Sequence, residues 1–168
     1  MAGKSTFLRT VNVNLILGAS GAPVCATFFE FSPVPLFTSI RTDDSLSRNE
    51  SYFFAELMRL KRITDELKSG KTLFITLDEM LKGTNSKDKH QGSYALIEQL
   101  IQYKASGMAA THDIELGKLA QVYPSNIENK RFEVEILGDE LHFDYELKEG
   151  ISQNLNASFL MKKYGITE

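Results

Sequence analysis

The sequence of 168 residues contains only one cysteine, Cys25, no tryptophan and four prolines. A single cysteine excludes a disulfide scaffold and a cysteine zinc site, and it fits a reducing compartment, so we expect a cytoplasmic protein. The longest apolar run is well short of the ~20 residues that cross a bilayer, so we expect no membrane segment in this chain. No basic-then-apolar leader opens the sequence, so we also expect no signal peptide.

An excess of charge of one sign is also lacking, because 19 Lys and Arg stand against 22 Asp and Glu, a net charge of −3. This balance excludes a basic arm and makes the chain, by itself, a poor candidate for binding a nucleic-acid backbone. What is present is an ordinary globular composition, 42% hydrophobic and 24% charged. With no internal repeat or linker, this length predicts one domain over residues 1–168.

Short β-branched or aromatic runs alternate with helical runs, which predicts an α/β layer architecture. The second helix opens with a capping box at Ser47–Glu50. Its predicted buried face consists of Phe53, Leu57, Leu60, Ile63 and Leu67. The predicted helices are Lys4 to near Gly18, about Ser47–Leu67, Tyr94–Tyr103, Ile114–Ala120 and Asn156–Tyr164. The predicted strands before the last third of the chain are Cys25–Phe31, Leu36–Arg41, the central strand Thr72–Leu77 and Met108–Thr111.

The segment Arg131–Leu147 predicts an antiparallel hairpin with Gly138-Asp139 as a two-residue turn. In that register three apolar pairs face each other and all six side chains share one face. The pairs are Ile136 with Leu141, Val134 with Phe143 and Phe132 with Tyr145.

The chain opens with half of a phosphate-binding loop, Met1-Ala2-Gly3-Lys4-Ser5-Thr6, the second part of G-x-x-x-x-G-K-[ST]. In that motif backbone N–H groups bind phosphates at a helix N-terminus, the Lys reaches the β- and γ-phosphates and the hydroxyl ligates Mg²⁺. We expect the first glycine and its preceding strand upstream of residue 1. By itself Gly-Lys-Ser-Thr is a weak signal, and a chance Gly-Lys-Ser in a loop is the alternative.

Two later segments favour the nucleotide-binding interpretation. The buried strand Thr72–Leu77 ends in Asp78 and Glu79, a pair that in P-loop ATPases holds hydrated Mg²⁺ and polarises the attacking water. His112 follows the next apolar run, so it should lie at the carboxyl end of an adjacent strand, where open α/β sheets bind ligands. An acidic pair at a strand end or a lone structural histidine are the alternatives. His90, expected in a loop, and His142, on the polar face of the hairpin, receive no role.

Taken together, these segments resemble the ATPase domain of the MutS family, the mismatch-repair branch of ABC-type P-loop ATPases. MAGKSTFLRTV is similar to that family's phosphate loop, LDEMLKGTNS to its Walker B strand with the Gly-Thr-Ser-type loop, and ATHDIELGKLA to its Ala-Thr-His segment. TDDSLSRNESYFFAEL stands in the place of its signature segment, and FDYELKEGISQNLNASFLMKKYGI parallels its closing hairpin and helix. The resemblance covers nearly the whole chain. It implies a P-loop sheet flanked by helices, with a C-terminal antiparallel hairpin and helix.

The resemblance also implies roles for individual residues. Asp78 would hold Mg²⁺ through water, Glu79 would act as the base-like residue and His112 would contact the γ-phosphate side. Ser51 and Asn85 would reach the nucleotide of a second subunit, and Tyr145 falls where the family places a ring near the adenine. The residues implied to bind ATP directly, with Ser5 also on Mg²⁺, are Met1, Ala2, Gly3, Lys4, Ser5 and Thr6.

The implied function is ATP binding and hydrolysis by a homodimeric mismatch-repair protein that contacts DNA through domains absent from this chain. The sequence departs from the mismatch sensors at three places: Asn49–Phe53 replaces Gly-Arg-Ser-Thr-Phe, Lys82 stands for Arg and Asn85 for Ser. One alternative is therefore a nucleotide-dependent dimerisation switch that hydrolyses little and senses no mismatch. A small-molecule kinase is disfavoured because the chain has no lid-like Arg cluster. Since the resemblance places the truncation within the Walker A loop, we expect the 168 residues alone to be a weak ATPase.

Overall fold

The computed structural model describes residues 3–40, 52–137, 140–152, 161 and 163–167. The chain divides into two compact units. The sheet unit is Ser5–Leu116, and the hairpin unit combines Met1–Lys4 with Gly117–Glu168. The organisation of residues 1–168 as one domain stays a prediction. The described residues form a mixed α/β structure with a parallel sheet and a C-terminal antiparallel pair, as expected from the alternating sequence pattern.

The sheet unit has three parallel strands in the order β1-β2-β3. These strands are β1 (Leu36–Ser39), β2 (Phe74–Asp78) and β3 (Ser106–Ala110). The helices are α1 (Lys4–Ala19), α2 (Tyr52–Lys68) and α3 (Ser86–Gln102), and a 3₁₀ helix (Ile114–Lys118) follows β3. The central position predicted for the Thr72–Leu77 segment is confirmed, because β2 pairs with β1 on one side and β3 on the other.

The core of the sheet unit is built from β2 and from one face of α2. Ile75 and Leu77 of β2 are buried, as is Leu73 just before it. On α2 the residues Leu60, Ile63 and Leu67 are buried at helical spacing, which confirms most of the predicted face. Leu57 was wrongly included, since it is exposed and Glu56 takes the buried position one turn before Leu60. The buried face of α2 therefore includes Glu56, which accepts a hydrogen bond from the Leu81 N–H.

Two other predictions need correction. Cys25–Phe31 is not a strand: none of these residues pairs in a sheet, Phe28 is largely exposed, and the Cys25 N–H donates to the side-chain oxygen of Asn14 instead. Aromatic content alone therefore misled, because a strand also needs a ladder partner. The helix predicted at Tyr94–Tyr103 begins at Ser86, after the N-cap Asn85. His90 thus lies in α3 and not in a loop. The capping box at Ser47–Glu50 lies outside the described residues.

The hairpin unit contains α4 (Leu119–Val122) and the antiparallel strands β4 (Lys130–Leu137) and β5 (Glu140–Glu149). The single helix predicted at Ile114–Ala120 is instead a 3₁₀ turn that runs directly into α4. The predicted turn residues 138–139 and most of the predicted final helix lie outside the described residues. None of the helices in the described ranges combines the length and apolar character needed to cross a membrane.

The hairpin register confirms two predicted pairs and overturns the third. Ile136 pairs with Leu141 and Val134 with Phe143, but Phe132 pairs with Leu147 and not with Tyr145. The ladder shifts between Phe132 and Val134, so β5 bulges there and Tyr145 takes a left-handed φ of 56°. The Tyr145 side chain is 64% exposed. The expectation that it faces the core beside the other five apolar residues is therefore wrong.

Candidate active site

The carboxyl ends of β2 and β3 bring together an acidic and a basic side chain that are distant in sequence. The parallel register pairs Asp78 with Ala110, so the residues that follow each strand leave the sheet at the same edge. The Glu79 N–H extends the ladder by donating to the Ala110 carbonyl at 2.9 Å. Because of this register, Glu79 and His112 meet: the distance from Glu79 Oε1 to His112 Nε2 is 3.0 Å.

Both carboxylate oxygens of Glu79 have basic neighbours. While Oε1 faces His112, Oε2 lies 3.4 Å from the Lys82 ammonium. The Glu79 side chain is 25% exposed and the His112 side chain 65% exposed, so the pair lies at the surface with water access. A carboxylate beside an imidazole at a water-accessible strand end can orient a water molecule and accept its proton. Lys82 was noted in the sequence only as a departure from Arg, and its contact with Glu79 was missed.

Asp78 is the last residue of β2 and is buried. A carboxylate seldom lies in a core without a partner or ligand, so its place beside Glu79 fits the acidic pair predicted from the sequence. Further back in β2, Thr76 is completely buried and donates its hydroxyl to the side-chain oxygen of Asn12 in α1 at 2.8 Å. This buried bond fixes α1 to the strand that presents Asp78 and Glu79.

The turn after β2 has an unusual backbone that a buried side chain stabilises. Glu79 and Leu81 have φ values of 54° and 55°, in the left-handed region that costs a non-glycine residue about 1–2 kcal/mol. Glu56 of α2 accepts the Leu81 N–H through Oε1 at 2.7 Å in the interior. Strained residues persist only where the surroundings over-determine them. Glu56 therefore shapes the turn that directs Glu79, a role that no sequence motif indicated.

The segment predicted to bind phosphate is described from Gly3 onward. Gly3 has a φ of 91°, and α1 starts at the next residue, Lys4. The first turn of α1 contains Lys4, Ser5 and Thr6 and no acidic residue. A helix N-terminus carries a partial positive charge, which favours negatively charged groups, and no acidic side chain of this first turn offsets it.

Within the hairpin unit, the Tyr145 ring lies against Gly3. A Cβ atom at Gly3 would be 3.1 Å from Tyr145 Cδ1, closer than ordinary contacts. The ring also stacks on Phe143, with centroids 6.0 Å apart. The bulge thus places an exposed aromatic ring beside the glycine of the segment predicted to bind phosphate, whereas the predicted register would have buried the ring.

Asn85, implied by the resemblance to reach a second subunit, caps α3 in this chain. Its Oδ1 accepts the Asp88 N–H at 2.9 Å and its Nδ2 donates to the Asp88 carboxylate at 2.7 Å. Three other residues with implied ATP contacts, Met1, Ala2 and Ser51, lie outside the described residues.

A second acid–base pair lies next to this site and was missed by the sequence analysis. His90 Nδ1 in α3 is 2.7 Å from the Asp113 carboxylate, one residue after His112. The pKa of Asp113 is lowered: burial alone raises it, but the hydrogen bond from His90 and the backbone N–H of Glu115 together outweigh burial. The sequence offered only one indication of this pair. If the helix predicted at Tyr94–Tyr103 had been extended to Ser86, His90 would have been placed on it.

Comparison with known proteins supplies the family. The MutS domain V family matches residues 1–166. The chain is 32% identical to MutS protein homolog 4 of Homo sapiens over 163 residues, which covers 93% of this chain and 17% of that protein. It is 33% identical to the DNA mismatch repair protein MSH4 of Arabidopsis thaliana, covering 89% of this chain and 19% of that protein. It is 30% identical to the DNA mismatch repair protein MutS of Persephonella marina, covering 100% and 19%. The chain thus spans less than a fifth of the length of these relatives.

Proposed function

Since this chain belongs to the MutS family through its domain V, we propose that it binds and hydrolyses ATP in an ABC-type P-loop site. The observation that best supports this proposal is the 3.0 Å contact between Glu79 and His112 at the carboxyl ends of neighbouring parallel strands. This is the edge of an open α/β sheet at which ligands bind. The residues there combine a carboxylate that can activate water with a side chain that can contact a phosphate.

The phosphates of ATP are bound, in this proposal, by the segment from Met1 to Thr6. The conformation of Gly3 and the acid-free first turn of α1 suit a polyphosphate, because backbone N–H groups and Lys4 then supply the positive charge. The adenine lies near Tyr145, whose exposed ring is available for stacking.

The residues present also fit Mg²⁺. Asp78 is a buried carboxylate at the strand end, and the Ser5 hydroxyl lies in the first turn of α1, the two ligand types that P-loop sites use. When bound, the ion neutralises negative charge on the phosphates. Glu79 orients water and receives its proton, His112 faces the γ-phosphate side, and Lys4 stabilises charge on the transferred phosphoryl group.

The complete site requires two copies of the chain in this proposal. Ser51 reaches the nucleotide of the second subunit, and Asn85 lies at the same interface. There the Asn85 amide gives up its hydrogen bond to Asp88 and contacts the second subunit instead. The specific activity of the whole protein should then rise with its concentration as homodimers form.

For the whole protein we propose a role in DNA mismatch repair, with DNA bound through domains outside this chain. The relatives from Arabidopsis thaliana and Persephonella marina are both named DNA mismatch repair proteins, which supports this assignment. The alternative is a nucleotide-dependent dimerisation switch that hydrolyses little ATP. It would use the same residues as the ATPase. The Lys82 and Asn85 departures favour a MutS-related task other than mismatch sensing.

The assignment of the phosphate segment is tested by Lys4→Ala in the full-length protein. Lys4 is the one side-chain cation within Gly3–Thr6, so its loss leaves the β- and γ-phosphate charge uncompensated. We expect an equilibrium titration with ATP and Mg²⁺ to show at least about a hundredfold weaker binding, the value of two charge-assisted hydrogen bonds. The matched control is Lys61→Ala, which removes an exposed lysine of α2. Undiminished ATP binding by Lys4→Ala would overturn the assignment.

A further inference from the structure

Asp113, the residue after His112, makes hydrogen bonds that stabilise the loop containing His112. Asp113 uses both carboxylate oxygens: Oδ2 bonds to His90 Nδ1 at 2.7 Å, and Oδ1 accepts the Glu115 N–H at 3.0 Å. The Asp113 N–H donates to the Thr111 hydroxyl at 2.9 Å. These three bonds fix the backbone immediately before and after His112.

The same residues connect the His112 loop to the Glu79 loop. His90 is the fifth residue of α3, and α3 begins directly after the loop that leaves β2 through Glu79, Lys82 and Asn85. The Asn85 cap, bonded to Asp88, sets where the first turn of α3 starts and hence where His90 points. The His90–Asp113 bond therefore ties the loop after β3 to the helix that ends the loop after β2.

His112 and the two residues of the neighbouring pair differ in exposure. Its side chain is 65% exposed, whereas those of His90 and Asp113 are 38% and 23% exposed. A hydrogen bond to a carboxylate at a partly buried position is stronger and more directional than one in open water. The fixed geometry thus lies one residue away from the proposed catalytic histidine.

We propose that His90 and Asp113 are positioning residues that hold the His112 imidazole against Glu79. The inference rests on the proposed ATPase function for its kinetic consequence, but its geometric content is independent of turnover. Neither residue contacts the reacting atoms: His90 acts through Asp113, and Asp113 acts through the backbone of His112.

Two substitutions at His90 separate positioning from stability. His90→Asn places an amide donor where Nδ1 lies and retains the bond to Asp113, while His90→Ala removes it. Helix propensity predicts the opposite order, because Ala stabilises a helix more than Asn does. In the full-length protein we expect kcat to fall about tenfold in His90→Ala, with the KM for ATP within about twofold, and to recover mostly in His90→Asn. The matched control, His142→Gln, removes an exposed histidine of the hairpin and should leave kcat unchanged.

The outcomes are distinguishable. Wild-type kcat in His90→Ala, or a lower kcat in His90→Asn than in His90→Ala, would overturn the positioning inference. A wild-type protein without turnover would overturn the proposed function instead. In either case, crystal structures of the wild-type protein and His90→Ala decide the geometry. We expect the Glu79–His112 contact of 3.0 Å to be lost in the variant, and an unchanged contact contradicts the inference.

Discussion

The two units of the chain differ in how deeply their polar contacts are buried. In the sheet unit two side-chain hydrogen bonds between distant residues are buried: Thr76 donates to Asn12, and Glu56 accepts the Leu81 N–H. In the hairpin unit ion pairs between partly or largely exposed side chains predominate, with Lys130 between Glu128 and Glu149 and Lys148 between Asp144 and Glu133. Leaving a buried polar group without a hydrogen bond lowers the free energy of unfolding, whereas solvent-exposed ion pairs contribute little to it. The sheet unit is therefore where geometry is fixed, and the residues proposed for water activation are located there.

The largest expected effect comes from the backbone of the sheet unit. Gly107 in β3 lies so close to β2 that a Cβ atom would be 2.0 Å from the Ile75 carbonyl oxygen. Since the three atoms nearest to the added Cβ all belong to the Ile75 backbone, Gly107→Ala must displace a strand. We expect it to lower the free energy of unfolding by about 3 kcal/mol. Native-state hydrogen exchange of β2 and β3 in the full-length protein measures the loss.

The matched control for that substitution is Gly70→Ala. Gly70 has a φ of 84° but no atom within 4 Å of an added Cβ, so only the backbone conformation is penalised. A cost of about 1 kcal/mol is expected. Equal losses at the two glycines would show that close approach of β2 and β3 is not what requires Gly107.

The next effect concerns Glu56. Glu56→Ala removes the acceptor of the buried Leu81 N–H. The free energy of opening of the turn after β2, measured by native-state hydrogen exchange, should fall by about 2 kcal/mol. Glu56→Gln retains an acceptor oxygen, and its amide replaces Oε2, which has no hydrogen-bond partner in the described parts of the chain. The Gln variant should therefore lose less stability than the Ala variant, because it keeps the acceptor of the Leu81 N–H. If Gln is as costly as Ala, the hydrogen bond to the Leu81 N–H does not account for the stability of the turn.

The smallest effect is expected in the hairpin unit. The hydrogen bond from Lys148 lowers the pKa of Asp144 below its ordinary value of 3.8. A lowered folded-state pKa adds stability above that value, and this stability is lost as the pH falls through the folded-state pKa. Lys148→Met removes it, so the variant and the wild type should differ near neutral pH and converge in acid.

The ion pair of Lys148 with Asp144 is partly exposed to solvent, so salt should screen it. Melting of the hairpin region in Lys148→Met should differ slightly from wild type at low ionic strength and not measurably at about 0.5 M salt. A large loss that persists in high salt would contradict the contrast between the two units.

The sequence predicted those features that depend on local pattern. The start of α1, the central strand β2 and two hairpin pairs follow from helical spacing, a continuous apolar run and strict alternation. The order of Asp78, Glu79 and His112 at strand ends also followed, because parallel strands share one edge.

The features that failed depend on distant partners. Cys25–Phe31 has strand-like composition but its backbone bonds to Asn14, and the bulge that exposes Tyr145 leaves the alternation of β5 intact in the sequence. The contacts of Glu56 with Leu81 and of His90 with Asp113 join residues more than 20 positions apart. No periodicity or motif marks such pairs.

The most direct test of the proposed function is the steady-state ATP turnover of Glu79→Gln in the full-length protein, measured beside equilibrium ATP binding. Gln cannot accept a proton from water, so we expect turnover to fall at least about a hundredfold while binding stays within about twofold. Glu140→Gln, an exposed glutamate of β5, serves as the control and should match the wild type. Unchanged turnover in Glu79→Gln would contradict the assignment of Glu79. A wild-type protein that binds ATP and dimerises without turnover would instead establish the dimerisation switch.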